Sequence, residues 1–160
     1  METYQVGLIA LGLFSLLAIL AIVTWRRRIV TQGQLLPAPV GIEFTKAESN
    51  CYYVATTFSD RPLDRVITHG LAHRGHAHLE ATGSGLEVSR TGELSFLIPK
   101  ADLLDVTTGT AVIDRVVENE GLVVIKWILG AVVLETHFRF VNSELRAQTL
   151  QSLRPLVSAR

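Results

Sequence analysis

The stretch Val6–Trp25, VGLIALGLFSLLAILAIVTW, runs for about twenty residues without a charge and is polar only at Ser15 and Thr24. A bilayer core about 30 Å thick takes about 20 helical residues to cross. Inside hydrocarbon every backbone N–H and C=O must be bonded within the segment, and a helix does this alone. The stretch therefore predicts a transmembrane helix over 6–25. Trp25 falls where an aromatic ring suits the interface, and Arg26, Arg27 and Arg28 follow at once. A secretory signal would carry its positive charge ahead of a shorter apolar run and a small-residue cleavage site behind it. The leading residues Met1–Gln5 hold an acid and no base, and nothing after Trp25 resembles such a site. The reading is an uncleaved, single-pass anchor in the cell (inner or plasma) membrane. By the positive-inside rule, residues 1–5 form a short extracytoplasmic N-terminus and everything from Arg26 onward is cytoplasmic.

Behind the span, residues 26–41 read as a basic juxtamembrane segment and linker. In IVTQGQLLPAPVG (29–41), Pro37 and Pro39 favour an extended path, and Gly33 and Gly41 are expected to break any helix. Residues 42–160 are one ordinary domain's worth of chain. Formal net charge is zero, which gives nucleic acid no electrostatic footprint to meet. Cys51 is the only cysteine, so neither an internal disulfide nor a cysteine-based zinc site can form. Gly7, Ala10 and Gly12 permit close helix contact, and with it homo-oligomerisation, although no strict small-xxx-small pattern dominates that face.

Along the domain, Asn50–Phe58 is dense in aromatic and β-branched residues and predicts a strand. Asp60 is placed to cap a short helix carrying Leu63, Val66 and Ile67, ended by Gly70. From Leu71 the period becomes two: Ala77, Leu79 and Ala81 on one face, His76, His78 and Glu80 on the other. TGSG and Thr91-Gly92 mark turns around the strand LEVSR, and LSFLI follows as the next strand. Asp102–Thr108 reads as a short strand. Thr108–Glu120 reads as an edge strand and loop, with a turn at Asn119-Glu120-Gly121. Leu122–Leu129 and Val132–Val141 form a hairpin around Gly130-Ala131. Asn142 caps a last helix with Leu145, Leu150 and Leu153 as its apolar stripe, ending near Pro155. About seven strands followed by one helix is the element order of the pleckstrin-homology (PH) superfold. The expected fold is an N-terminal transmembrane helix plus a mainly-β PH-like barrel or sandwich with a C-terminal helix; the alternative is another small α+β domain with a terminal helix.

The chain also resembles a known group, the actinobacterial single-span membrane proteins with a PH-like cytoplasmic domain, loosely labelled transporter or export proteins. The resemblance rests on WRRR after the span, YYVATTFSDRPLDRV with GLAHRGHAHLEA, LEVSRTG with LSFLIPKADLLDV, and GLVVIKWILG with LETHFRF. It implies architecture rather than activity. Family members look to be encoded among pyrimidine-biosynthesis genes, which hints at a link to that process and assigns no enzymatic role.

The most tempting chemistry is histidine. His69, His73, His76 and His78 are four of the chain's five histidines, and His76, His78 and Glu80 share a strand face as candidate metal ligands. Side chains at i and i+2 of one strand stand about 7 Å apart, so both reach one ion only with a further ligand between them. The plainer reading is an exposed polar face. Gly83-Ser84-Gly85 is a turn between strands and lacks the strand-to-helix junction of a nucleophile elbow. No phosphate loop or dinucleotide fingerprint occurs. Asp60, Arg61, Asp64 and Arg65 are read as a solvated mixed-charge cluster. Trp127 is expected in the core, with Arg139, His137 and Glu135 on the polar face of their strand. A PH-like fold raises the question of phosphoinositide binding, but Arg61 and Arg65 are offset there by Asp60 and Asp64.

The expected function is a non-enzymatic, membrane-anchored interaction, accessory or scaffold domain at the cytoplasmic face. It needs no cofactor, and its partners are the membrane lipid bilayer and a membrane or cytoplasmic protein. The alternatives are a metal-binding or enzymatic module on the histidine strand, and a lipid-headgroup or small-ligand sensor.

Overall fold

The computed structural model describes residues 3–43, 48–109, 111–112, 115–116, 121–140 and 142–157. Helix α1 spans Thr3–Leu35, 33 residues, or about 50 Å at about 1.5 Å per residue. Nothing in its apolar window is buried against the rest of the chain, and its length and composition make it a candidate membrane span. It differs from expectation at both ends. Thr3, Tyr4 and Gln5 are already helical, and the helix continues through Arg26–Arg28 into most of the expected linker. Gly33 does not break it. One glycine costs a helix about 1 kcal/mol, and here the last turns gain buried contacts at Gln32, while Leu36 just beyond them enters the core. Pro37 and Pro39 keep the next residues out of the helix, so only a few extended residues separate α1 from β1 (Val40–Gly41).

The remaining elements are β2 (Cys51–Phe58), β3 (Arg61–Arg65), β4 (Gly75–Thr82), β5 (Gly85–Arg90), β6 (Phe96–Pro99), β7 (Leu103–Gly109), β8 (Ala111–Val112), β9 (Arg115–Val116), β10 (Leu122–Leu129), β11 (Val132–Arg139) and α2 (Ser143–Val157). Nine strands form one antiparallel sheet in the order β1-β6-β5-β4-β2-β11-β10-β7, with β3 added to β2; β8 and β9 pair as a separate small hairpin. The sheet curls around one core to which β2, β4, β5, β6, β7, β10 and β11 all contribute. Its path is open, with β1 and β7 as ends. The seven main expected strands are present, the edge strand expected within 108–120 is replaced among the described residues by the separate β8–β9 hairpin, and two strands of the main sheet are new. β1 comes from the expected linker. β3 replaces the short helix expected after Asp60. A two-turn helix leaves most of its terminal N–H and C=O groups unmet, whereas a reversal at Ser59-Asp60 lets this segment pair with the edge of β2. The expected turn at Asn119-Glu120-Gly121 lies largely outside the described residues.

Three irregularities shape the sheet. Between β2 and β11 the pairing passes from Ala55↔His137 to Tyr53↔Phe138, so Val54 is an extra residue. Such a bulge reverses the inward face of a strand. Cys51 and Tyr53 point into the core before it, Thr56 and Phe58 after it. Between β7 and β10 the extra residue is Leu104. On β3, Arg65 pairs with Thr57 and Arg61 with the adjacent Phe58, which leaves Pro62, Leu63 and Asp64 as an arch off the sheet edge.

The inward shift of Thr56 builds a polar chain through the core. Trp127 Nε1 donates to Thr136 Oγ1 at 2.9 Å. Thr136 Oγ1 meets Thr56 Oγ1 at 2.8 Å, which meets the Tyr53 hydroxyl at 2.6 Å. That hydroxyl donates to the Leu71 carbonyl at 2.9 Å. Each of these buried polar groups thus has a partner, which a low-dielectric interior requires. Burial still pushes the Tyr53 pKa up to about 12, against the opposing effects of Thr56 and nearby arginines. Trp127 also stacks on Phe96, with ring centroids 6.0 Å apart.

Helix α2 packs against β7 and β4. Asn142 caps it as expected, its Oδ1 accepting from the Glu144 N–H at 2.7 Å. Leu153 is fully buried and Leu150 packs on the core, but Leu145 is 39% exposed and does not belong to the stripe. Pro155 lies inside the last turn, and the helix continues to Val157.

Replacing Thr136 by Val leaves the Trp127 N–H and the Thr56 hydroxyl short of a partner. The expected loss is about 1–3 kcal/mol, read by urea unfolding of the detergent-solubilised chain through Trp127 fluorescence in a Trp25→Phe background. The same change at exposed Thr107 is expected to move stability by less than about 0.5 kcal/mol.

Candidate functional site

The residues joining α1 to the domain form its most developed polar site. Arg28, Gln32 and Leu36 are spaced four apart and so line one side of the helix and its immediate continuation. Each meets a successive part of the chain from the end of β3 through His69. Arg28 pairs with Asp64, which also accepts from Arg61 at 3.1 Å. The Gln32 amide binds the backbone twice: its Oε1 accepts from the Ile67 N–H at 2.8 Å and its Nε2 donates to the Arg65 carbonyl at 3.3 Å. The Leu36 carbonyl meets His69 Nε2 at 2.8 Å.

The Gln32 pattern has a specific meaning. On an extended segment, the C=O of residue i and the N–H of residue i+2 point to the same side, toward a neighbouring strand. Gln32 supplies one acceptor and one donor where such a strand would have supplied them. Its side chain is only 5% exposed, so the two bonds also satisfy an amide that burial would otherwise leave unmet. Beyond it, Leu36 is 1% exposed and joins the core. Pro37 lies across Gly130, where a Cβ would come within 2.8 Å of the proline ring; Gly130 also has φ of 66°. Glycine is required there on both grounds.

The loop from Val66 to Arg74 is held from its other side by Arg90, which is 1% exposed. Its guanidinium donates to the carbonyls of Gly70 at 2.9 Å and His73 at 2.5 Å. It also sits 4.1 Å over the Tyr53 ring, a favourable cation–π geometry. Burial lowers its pKa, opposed by Tyr53 and Glu93.

Beside the junction, a groove of about 560 Å³ is lined by Leu35, Phe58, Arg61, Leu104, Lys126 and Val132, among others. The Arg61 guanidinium lies 4.6 Å over the Phe58 ring. Glu135 accepts from Ser59 at 2.8 Å and stands 3.9 Å from Lys126.

The histidines do not converge. His69, with φ of 55°, bonds the Leu36 carbonyl. His73 Nδ1 meets Glu93 at 3.1 Å. His76 makes an edge contact with Tyr52, and His78 Nδ1 meets the Glu48 carbonyl at 2.8 Å. Glu80 stands opposite Glu87 in the ladder. Among the described residues no group of three or more His, Cys, Asp or Glu side chains is placed to hold a metal ion. Cys51 is buried, and burial pushes its thiol up to about 12, well away from reactive thiolate chemistry. Trp25, Arg26 and Arg27 are exposed on α1. His137 differs from expectation: it is 6% exposed rather than on a solvated face. β2 is buried on both faces from Ala55 to Phe58, and His137 lies against it, with Nε2 3.2 Å from Thr57 Oγ1.

The sequence model of the bacterial PH domain-like family matches residues 30–154. The chain belongs to that family. Neither the curated proteins nor the solved structures contain a match to it. The element order agrees: an open, curled antiparallel sheet with a closing C-terminal helix, preceded here by α1. The match begins at residue 30, inside α1, whereas the sequence places the domain's start at 42. The earlier start includes Gln32 and Leu36, the residues through which α1 enters the domain.

Replacing Gln32 by Leu keeps the helix but exposes the Arg65 C=O and Ile67 N–H to no partner. Amide exchange at Ile67 and its neighbours is expected to accelerate by about tenfold or more, equivalent to about 1–3 kcal/mol of local stability. The wild-type rate in that variant would remove the role assigned to Gln32.

His137 generates a pH dependence. Burial lowers its pKa, with Glu135 partly opposing. Its contribution to stability is therefore complete above the unfolded-chain value of about 6.5 and is lost as pH falls below it, because the unfolded chain binds the proton more readily. Unfolding midpoints measured from pH 7.5 down to 5 are expected to fall less steeply in His137→Gln than in the wild type.

Proposed function

We propose that this PH-like domain is a non-enzymatic interaction or scaffold module held at the cytoplasmic face of the cell membrane by a single helix. The observation that carries the reading is the docking of α1: Arg28, Gln32 and Leu36 fasten the helix to the domain at three successive levels. A flexible linker would only raise the domain's local concentration. A helix built into the domain also sets its pose, which suits an accessory subunit that meets membrane-bound partners in one orientation. The arginines after Trp25 support the cytoplasmic assignment through the positive-inside rule. Fold alone does not specify the activity, so the partner must be found by experiment.

The test is proximity labelling or mild-detergent co-purification of the full chain, alongside a variant carrying Arg28→Ala and Gln32→Leu. The wild type is expected to recover a reproducible set of membrane neighbours, and the variant to lose them while remaining in the membrane fraction. Repeatedly empty recoveries from the wild type would sink the scaffold reading. Identical neighbours from both chains would remove the fixed pose as its mechanism.

A further inference from the structure

The arch formed by Pro62, Leu63 and Asp64 has a feature the junction does not explain. Leu63 is 79% exposed, more than any other large hydrophobic side chain among the described residues, those of the candidate span included. It stands on a tight support: Arg61 and Arg65 pair with adjacent residues of β2, and the proline beside it limits the arch's freedom.

The arch is also fixed in height. Contacts along α1 run in order, His69 at Leu36, Ile67 and Arg65 at Gln32, and Asp64 at Arg28. The chain therefore approaches the membrane end of the helix as it runs back toward Leu63. Arg28 is about 4.5 Å of helix axis past Trp25, and helical side chains lean toward the helix N-terminus, which here brings the guanidinium and Asp64 nearer to the Trp25 level. The headgroup layer on each side of a bilayer is about 5–8 Å deep. The tip of the arch thus falls within that layer. Its charges suit the place. Asp64 is taken up by Arg28 and Arg61, and Asp60 lies 3.4 Å from Arg61. Arg61 on the arch is exposed, as are Arg26 and Arg27 on other sides of α1 at a similar height, cationic groups of the kind that suit a layer of lipid phosphates.

We propose that this arch is a second membrane contact, with Leu63 immersed at the headgroup–acyl boundary of the same bilayer that α1 crosses. The occupant is the lipid surface itself, and no headgroup pocket is required. The contact rests on reading α1 as a membrane span. It fixes the domain's rotation about α1, because the side of the domain bearing the arch must face the bilayer.

The full chain is reconstituted into phosphatidylcholine–phosphatidylglycerol vesicles with a thiol-reactive NBD probe on Leu63→Cys or, separately, on Leu94→Cys. Native Cys51 is buried, and the unsubstituted chain gives the labelling background. Leu94 is 49% exposed and lies next to Gly70, beside the His69–Leu36 contact, about 16 Å of helix axis beyond Trp25. Shallow nitroxide lipids are expected to quench the probe at 63 several-fold more than at 94, and aqueous iodide to quench in the opposite order. Vesicle-bound protein with equal quenching at both sites, or with none at 63, overturns the arch contact and leaves the anchor intact. Failure of the chain to float with vesicles overturns the anchor, and the arch contact with it.

Discussion

The two hydrogen bonds of the Gln32 amide decide how the two halves of this chain relate. A long apolar helix and a β-rich domain have no intrinsic reason to be rigidly joined, and the sequence between them holds glycines and prolines that suit a hinge. One carboxamide changes this by standing in for a strand. It takes the N–H of Ile67 and the C=O of Arg65, groups that otherwise need water or another chain. An unmet buried amide or backbone group costs about 1–3 kcal/mol, so removing the helix from this position exposes donors and acceptors on both sides. Asn50 uses the same device within the sheet, its amide bonding both the N–H and C=O of Leu79. The fold thus twice uses a side-chain amide to finish an incomplete ladder.

The rest of the domain holds the receiving loop in place. Val54's bulge turns Thr56 inward, and Thr56 links Tyr53 to Thr136 and Trp127. Tyr53 in turn bonds the Leu71 carbonyl and lies under Arg90, which gathers the carbonyls of Gly70 and His73. The segment that meets α1 is therefore held between the helix and a buried polar chain reaching across the sheet. Burying an arginine is costly on its own; two carbonyls and an aromatic face offset that cost, and the same bonds hold a loop with two consecutive left-handed residues, His69 and Gly70.

Much of this fold was legible in the sequence because its strands alternate strongly. Ala77 and Leu79 are buried while His76 and Glu80 are exposed, and Gly130 turns a hairpin whose strands pair over their full length. What was not legible depends on contacts distant in sequence. Helical spacing of Leu63, Val66 and Ile67 suggested a helix, but the free edge of β2 offered a better use for the same backbone. Glycine and proline suggested a linker, because nothing local reveals that Gln32 has a backbone partner thirty-five residues away. Alternation put His137 outside, and only the enclosure of β2 on both faces brings it in. At the junction itself, nothing local in the sequence announced the pairing of Arg28 with Asp64. That pairing also changes the reading of the Asp60–Arg65 cluster from a solvated face to part of a joint.

A docked helix makes the spacing between Trp25 and Gln32 a structural quantity. If bilayer chemistry fixes Trp25 near the interface and backbone pairing fixes Gln32 in the domain, the turns between them set both height and facing. Each residue contributes about 1.5 Å and about 100°. Deleting one residue from Arg26–Thr31 changes the height little but turns the domain by more than a quarter of a circle relative to the helix face presented to the membrane. A flexible tether would scarcely register such a change, since the reach of a disordered linker varies only with the square root of its length. The chain's sensitivity should therefore be periodic in helix phase rather than graded in length. That periodicity separates a mounted domain from a tethered one without requiring the partner to be known.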